Sequence, residues 1–199
     1  MDYTKIKSRL EDTLSDEKYH HSLATAQNAK KLCEITGYKD IEKAYLAALL
    51  HDCAKCINKI ELKKIADGLD FVSDEEKEMP KTLHAPVGAY IAKKDFGIED
   101  EEILSAIRFH TVAHPNMTHL EMIVFLADKI REEFGIKYFG ADAFDFVEIA
   151  GIEKAMIKSI ENGIENLKNK GIYRPGLCLV RSVDFRLQKP GQPSWFVYL

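Results

Sequence analysis

LLHDCAK, residues 49–55, closes an apolar run that begins at Ala44 and continues AYLAALL. A histidine and an aspartate therefore stand at the end of a segment that is apolar nearly all round and should be central to a core. Removing an ionised carboxylate from water without a partner costs several kcal/mol or more, roughly. Asp52 needs a partner, and the rest of the sequence has to supply it.

Working outward, the pattern is helical almost throughout. In YHHSLATAQNAKKLCEI, residues 19–35, helical spacing places His21, Ala24, Ala29, Leu32 and Ile35 on one side and Gln27, Lys30, Lys31 and Glu34 on the other. Gly37 supplies a stop, and Asp40 is an N-cap for a helix over 41–56. Residues 59–80 read as short polar helices and connectors around Gly68 and Pro80. LHAPVGAYIAKKDFG, residues 83–97, has Pro86 in a first turn and Gly97 at the end. The acidic stretch 99–102 suits the positive end of the next helix, on which Ile103, Ile107 and His110 share a face. Thr118 and Glu121 form a capping box, with Met117 and Met122 placed for a hydrophobic staple. The helix that follows, LEMIVFLADKI, carries Asp128 inside another apolar run. One long amphipathic helix is expected over 142–169, its stripe formed by Phe144, Ile152, Met156, Ile160, Ile164 and Leu167. The terminal SWFVYL is short and β-prone. The expected class is all-α, a single domain over 1–199 with a helical bundle at about 18–133 and a helical extension with a tail at about 142–199.

Composition narrows the partners. The chain has 199 residues and a formal net charge of −4, which gives no footprint for a nucleic-acid polymer. No apolar run is long enough for a bilayer and the N-terminus has no signal core, so a cytoplasmic protein without membrane attachment is expected. Cys33, Cys53, Cys56 and Cys178 do not form a disulfide framework in a chain of this size. Cys53 and Cys56 have C-x-x-C spacing, but no second such pair exists to complete a zinc site. They read as small buried or half-buried thiols, with a redox or metal role as the minority reading.

His21, His51, Asp52, His110 and Asp128 all sit on or beside core-facing helix surfaces, and His84 lies just before a helix start. One histidine on an apolar face is usually a satisfied core residue. Two aspartates and four histidines, spread over successive helical segments, require a common centre. Imidazole nitrogens with carboxylate oxygens describe a transition-metal site, and helical bundles build such sites from facing helices.

The series His21, His51-Asp52, His84, His110, Asp128 resembles the HD-domain phosphohydrolases. The strings HSL (21–23), LLHDCAK (49–55), LHAPVGAYIA (83–92), IRFHT (107–111) and FLADKI (125–130) are similar to one branch of them, the bacterial YqeK-type symmetrical diadenosine-tetraphosphate hydrolases. The resemblance covers about residues 18–133. It implies a dinuclear centre of two transition-metal ions, iron favoured, with manganese, cobalt or zinc also suited to the ligands. His21, His51, Asp52 and Asp128 would hold one ion, His84 and His110 the other, and Asp52 would bridge them. It also implies water-driven cleavage of diadenosine tetraphosphate into two ADP.

In that reading Asp52 and Lys55 are the catalytic residues, Lys55 offsetting charge on the phosphate. Arg108, His114 and Arg131 join Lys55 as candidate substrate contacts, and Tyr90, Phe109 and Phe125 are candidates for stacking on adenine. The chain departs from the family pattern at Ala113, where a glycine is usual. It departs again over Ile130 to Phe134, where the family tends to show Ile-Glu-Pro-x-Arg; a phosphate contact would then move to Arg131 or Lys137, or be lost. Two alternatives stay open: an HD-type hydrolase of another nucleotide (a nucleoside monophosphate, a deoxynucleotide or a hyperphosphorylated guanosine), or a metal- or nucleotide-binding sensor without turnover. A purely structural helical protein is the third. Apolar positions on the long C-terminal helix leave a homodimer open.

Overall fold

The structure, a computed structural model, describes residues 2–130, 143–171 and the backbone of 197–198. Its helices are α1 (Tyr3–Thr13), α2 (Asp16–Thr36), α3 (Ile41–Leu50), α4 (Lys59–Asp67), α5 (Asp74–Lys77), α6 (His84–Phe96), α7 (Glu101–Phe109), α8 (His119–Lys129), α9 (Ala143–Ala150) and α10 (Ile152–Asn169). The fold is all-α. Two short strands, β1 (Val112–Ala113) and β2 (Val197–Tyr198), pair antiparallel. The β-prone C-terminal stretch thus returns to the chain immediately after His110 and Thr111.

Local chemistry sets the boundaries. The side chains of Ser15, Asp40, Asn58 and Asp100 accept backbone N–H groups at the starts of α2, α3, α4 and α7. Gly37 and Gly97 end α2 and α6 in the left-handed conformation that glycine adopts without a Cβ clash. The Thr118–Glu121 capping box forms as expected, and a second joins Ser73 and Glu76 at α5. Pro86 sits in the first turn of α6.

Three expectations need correction. The helix expected to reach residue 56 ends at Leu50. Beyond it the chain tightens into i→i+3 bonds, from Cys53 N to Leu50 O, Lys55 N to Asp52 O and Ile57 N to Ala54 O. The single helix expected over 142–169 is two, because Gly151 takes φ +89° between α9 and α10; residue 142 lies outside the described residues. On α2 the buried face is Ser22, Thr25, Ala26, Ala29, Leu32 and Cys33, while Ala24 is exposed. Small side chains on that face let α2 lie close against α3.

The main core runs from Ile6 and Leu10 through α3, α7 and α8 to Met156 and Ile164 on α10. Leu49, Leu50, Phe125, Leu126 and Met156 are almost wholly removed from water. A smaller cluster beneath α4 and α6 contains Leu62, Leu69, Leu83 and Val87. Among the described residues no helix is long and apolar enough to cross a membrane.

Candidate metal centre

The six polar residues come from five helices or their ends. His21 lies on α2, His51 and Asp52 directly follow α3, His84 opens α6, His110 caps the end of α7, and Asp128 lies in the last turn of α8. The C-terminal ends of α3, α7 and α8 therefore all deliver side chains to one place. Each helix end carries partial negative charge on its last carbonyls, which favours a cation nearby. The approach is close: a Cβ on Gly88 of α6 would sit 3.5 Å from the carbonyl oxygen of His51 and 3.6 Å from Cys53 Sγ.

Backbone carbonyls orient three of the imidazoles in the same way. The Nδ1–H of His51 donates to Ala48 O at 2.6 Å, that of His84 to Lys81 O at 2.9 Å, and that of His110 to Ile107 O at 2.7 Å. With Nδ1 donating to a carbonyl, each ring turns its Nε2 inward, the atom through which such metal-ligating histidines bind. The four rings form a chain: centroids are 5.2 Å apart for His21 and His51, 4.9 Å for His51 and His110, and 5.1 Å for His84 and His110.

The carboxylates thread between the rings. Asp128 Oδ1 is 2.9 Å from His21 Nε2 and 3.4 Å from His51 Nε2. Asp52 turns Oδ2 towards His51 Nε2, at 3.6 Å, and Oδ1 towards His84 Nε2 and His110 Nε2, at 3.2 and 3.4 Å. Lys55 Nζ reaches the same corner, 2.8 Å from His84 Nε2 and 3.2 Å from Asp52 Oδ1. Ligand atoms of His21, His51 and Asp128 lie within 4.8 Å of one another, as do those of His51, Asp52 and His110.

The electrostatics call for positive charge. Burial works to raise the Asp52 pKa, yet His51, His110 and His84 outweigh it and hold the carboxyl well below its usual range. Asp128 is lowered likewise: burial opposes, and Lys129, His21 and His51 prevail. Burial pushes His110 down to about 4 against the pull of Asp52, so its imidazole is neutral near pH 7 and free to ligate. Burial lowers His84 too. At His51 burial also pulls down, but Asp52 and then Asp128 reverse the direction and raise it. His51 Nε2 and Asp52 Oδ1 are buried without a hydrogen-bond partner among the described residues. Natural interiors rarely tolerate such atoms unless an ion or water completes them. The donor set fits a transition-metal ion.

Other candidates fall differently. Arg108 gives its guanidinium to Glu76, at 3.1 and 3.3 Å, between the rings of Phe71 and Phe109. His114 lies on Phe109 with Nε2 3.3 Å from Glu121 Oε2. Arg131, Lys137 and Cys178 lie outside the described residues. Phe125 is fully buried, and Tyr90 lines a cavity of about 470 Å³ with Ile57, Ile65, Leu69 and Lys94, to which none of the six residues contributes. Cys33 and Cys53 follow the buried-thiol reading, and Cys56 departs from it. Cys53 is buried, bonded to Gly88 O and pushed up to about 12 by burial, and Cys33 is pushed to about 11 by the same cause. Cys56 is exposed and accepts the Ser15 N–H.

Sequence reasoning missed Glu76, whose S-x-x-E pattern with Ser73 was the available signal. It also missed Lys129, for which no local pattern exists.

Residues 19–132 match the HD domain family, and the chain belongs to that family of metal-dependent phosphohydrolases. The chain is 38% identical over 168 residues to the symmetrical bis(5'-nucleosyl)-tetraphosphatase of Halalkalibacterium halodurans, covering 80% of this chain and 85% of that one. The enzyme of the same name from Bacillus subtilis is 36% identical over 157 residues, 79% of this chain and 83% of its own. Among solved structures, a Clostridium acetobutylicum protein described as a "predicted HD superfamily hydrolase involved in NAD metabolism" superposes with a TM-score of 0.78 at 35% identity, over 87% of this chain and 91% of that chain.

Proposed function

We propose that this protein hydrolyses diadenosine tetraphosphate symmetrically, giving two ADP, at a dinuclear metal centre. The observation that carries the hydrolytic reading is the inward convergence of the Nε2 atoms of His51, His84 and His110 about the two oxygens of Asp52. The substrate rests on the two tetraphosphatase relatives, which match across most of their length.

His21, His51, Asp52 and Asp128 would hold one ion, and His84, His110 and Asp52 the other. When bound, a pair of such ions supplies Lewis acidity to a phosphoryl oxygen and lowers the pKa of water towards neutrality. Asp52 balances the positive charge from between the two ligand groups. Lys55, a third exposed at its side chain, presents an ammonium to phosphate charge as that charge builds. The carbonyls of Ala48, Lys81 and Ile107 keep the imidazoles in the ligating tautomer throughout. Iron is the metal we expect; the ligands also suit manganese, cobalt or zinc.

Anaerobic purification with elemental analysis, followed by chromatography of the products from diadenosine tetraphosphate, tests this. The expected result is close to two ions per chain and ADP alone. AMP with ATP, or a metal-replete protein that leaves the substrate intact, would defeat it. The departures at Ala113 and over 130–134 favour one second reading, an HD-type hydrolase of another nucleotide. A panel of mononucleotides and deoxynucleotides separates the two.

A further inference from the structure

Each aspartate of the centre carries its own lysine. Lys55 stands 3.2 Å from Asp52 Oδ1, and Lys129 stands 2.8 Å from Asp128 Oδ2. The second pair divides the Asp128 carboxylate. Oδ1 faces the histidines, 2.9 Å from His21 Nε2 and 3.4 Å from His51 Nε2, while Oδ2 faces away into the ammonium. Lys129 is well placed to hold that oxygen. Its side chain is 19% exposed, and its Nζ lies 5.2 Å from the centroid of the buried Phe125 ring. Stem and head are thus confined to one side of α8.

We propose that Lys129 is a positioning residue that restricts Asp128 to one ligating oxygen. The inference rests on the metal reading of the centre. A carboxylate free at both oxygens can grip an ion with both, and a carboxylate relieved of an ammonium is a stronger donor. Both effects tighten the ion and blunt its Lewis acidity. Lys129 withholds Oδ2 and draws charge off the carboxylate, so the ion keeps a coordination position and its acidity. Removing the lysine should therefore strengthen metal binding while slowing hydrolysis. Loss of a merely structural contact would do the reverse to the metal.

The test loads wild type, Lys129→Met and Lys129→Arg with cobalt(II). It reads metal retention against a competing chelator, the visible absorption of the bound cobalt, and turnover. Lys129→Met is expected to hold cobalt more tightly, by about tenfold, where loss of an ordinary outer-shell partner weakens binding about 10–100-fold. Its visible band should weaken as the coordination number rises, and its kcat should fall with KM little changed. Lys129→Arg, which can still occupy Oδ2, should restore all three. Should Lys129→Met not fold, Lys129→Leu, which likewise has no donor for Oδ2, is read in the same way. Unchanged or looser cobalt with an unchanged spectrum would overturn the role of Lys129 and leave the centre standing. A wild-type protein that takes up no cobalt, iron, manganese or zinc would overturn both.

Discussion

The Nε2 atoms of His84 and His110 face each other across 3.2 Å. Each ring has its Nδ1 proton committed to a carbonyl three residues earlier, and burial depresses both pKa values. Two lone pairs therefore point at one another, an arrangement that repels unless a cation lies between or beside them. Lys55 and Asp52 meet at the same point. That juxtaposition is what makes this corner a site rather than a set of satisfied core histidines.

Among the described residues Asp52 is the one carboxylate whose two oxygens face different histidines, so its loss should disable both halves of the centre. Asp52→Ala is expected to lose bound metal and all hydrolysis. Its helical content should survive, since no cap or core contact of α3 depends on that side chain. Metal analysis beside circular dichroism checks this; full metal content in the variant would remove Asp52 from its shared position.

Lys55 touches His84 and Asp52 but adds no lone pair. Lys55→Met should retain metal and lose turnover by about 10²–10³-fold, the usual cost of one electrostatic stabiliser of a transition state. Steady-state kinetics on metal-replete protein give the answer, and an undiminished kcat would assign Lys55 to the solvated end of a turn.

Asn28 ties the helix that carries His21 to the end of the helix that carries Asp128. Its Nδ2 donates to Ile130 O at 2.6 Å and to Ala127 O at 3.3 Å, satisfying carbonyls that α8 leaves open at its end. Asn28→Ala should destabilise the fold by about 1–3 kcal/mol, the cost of leaving such a group unpaired. Thermal melting against wild type measures it. A melting point within error of wild type would show that water replaces the amide freely.

Glu121 gives an acid limb to the stability profile. Burial would raise its pKa, but His114, Ser105 and the Thr118 backbone N–H outweigh burial and lower it below the ordinary 4.5. The folded pKa lies below the unfolded one, so the stabilisation is complete above the ordinary value. It is lost as pH falls through the lowered one. Glu121→Gln should be less stable than wild type near neutrality, and the gap should close on acidification. Denaturant midpoints measured from pH 7 downward test the sign; a gap that widens in acid would contradict it.

The capping residues made most helix boundaries legible, because a cap is a contact within a few residues. Asp40, Thr118 with Glu121, Gly37 and Gly97 stand where the pattern puts them. The end of α3 was not legible. AYLAALLHDCAK keeps a helical composition to its last residue, and the tightening after Leu50 answers to packing against α6 and α7 rather than to any local breaker. The break at Gly151 has a signal in the glycine itself, but the apolar stripe continues on both sides of it and favours a single helix. Arg108 and His114 read from the sequence as substrate contacts, yet their partners in the fold, Glu76 and Glu121, lie 32 and 7 residues away. Nothing local joins them.

The sequence by itself determined the helical class, the caps, and the six polar side chains set among apolar runs, because amphipathic periodicity and capping act within a turn or two of chain. Only the tertiary structure decided that the ends of α3, α7 and α8 converge, that each imidazole turns its Nε2 inward, and that Asp52 divides its two oxygens between His51 on one side and His84 and His110 on the other. The centre joins residues up to 107 positions apart, His21 and Asp128. Their distances follow from how close the small-residue faces allow the helices to come, a property of the packed whole that no single segment carries.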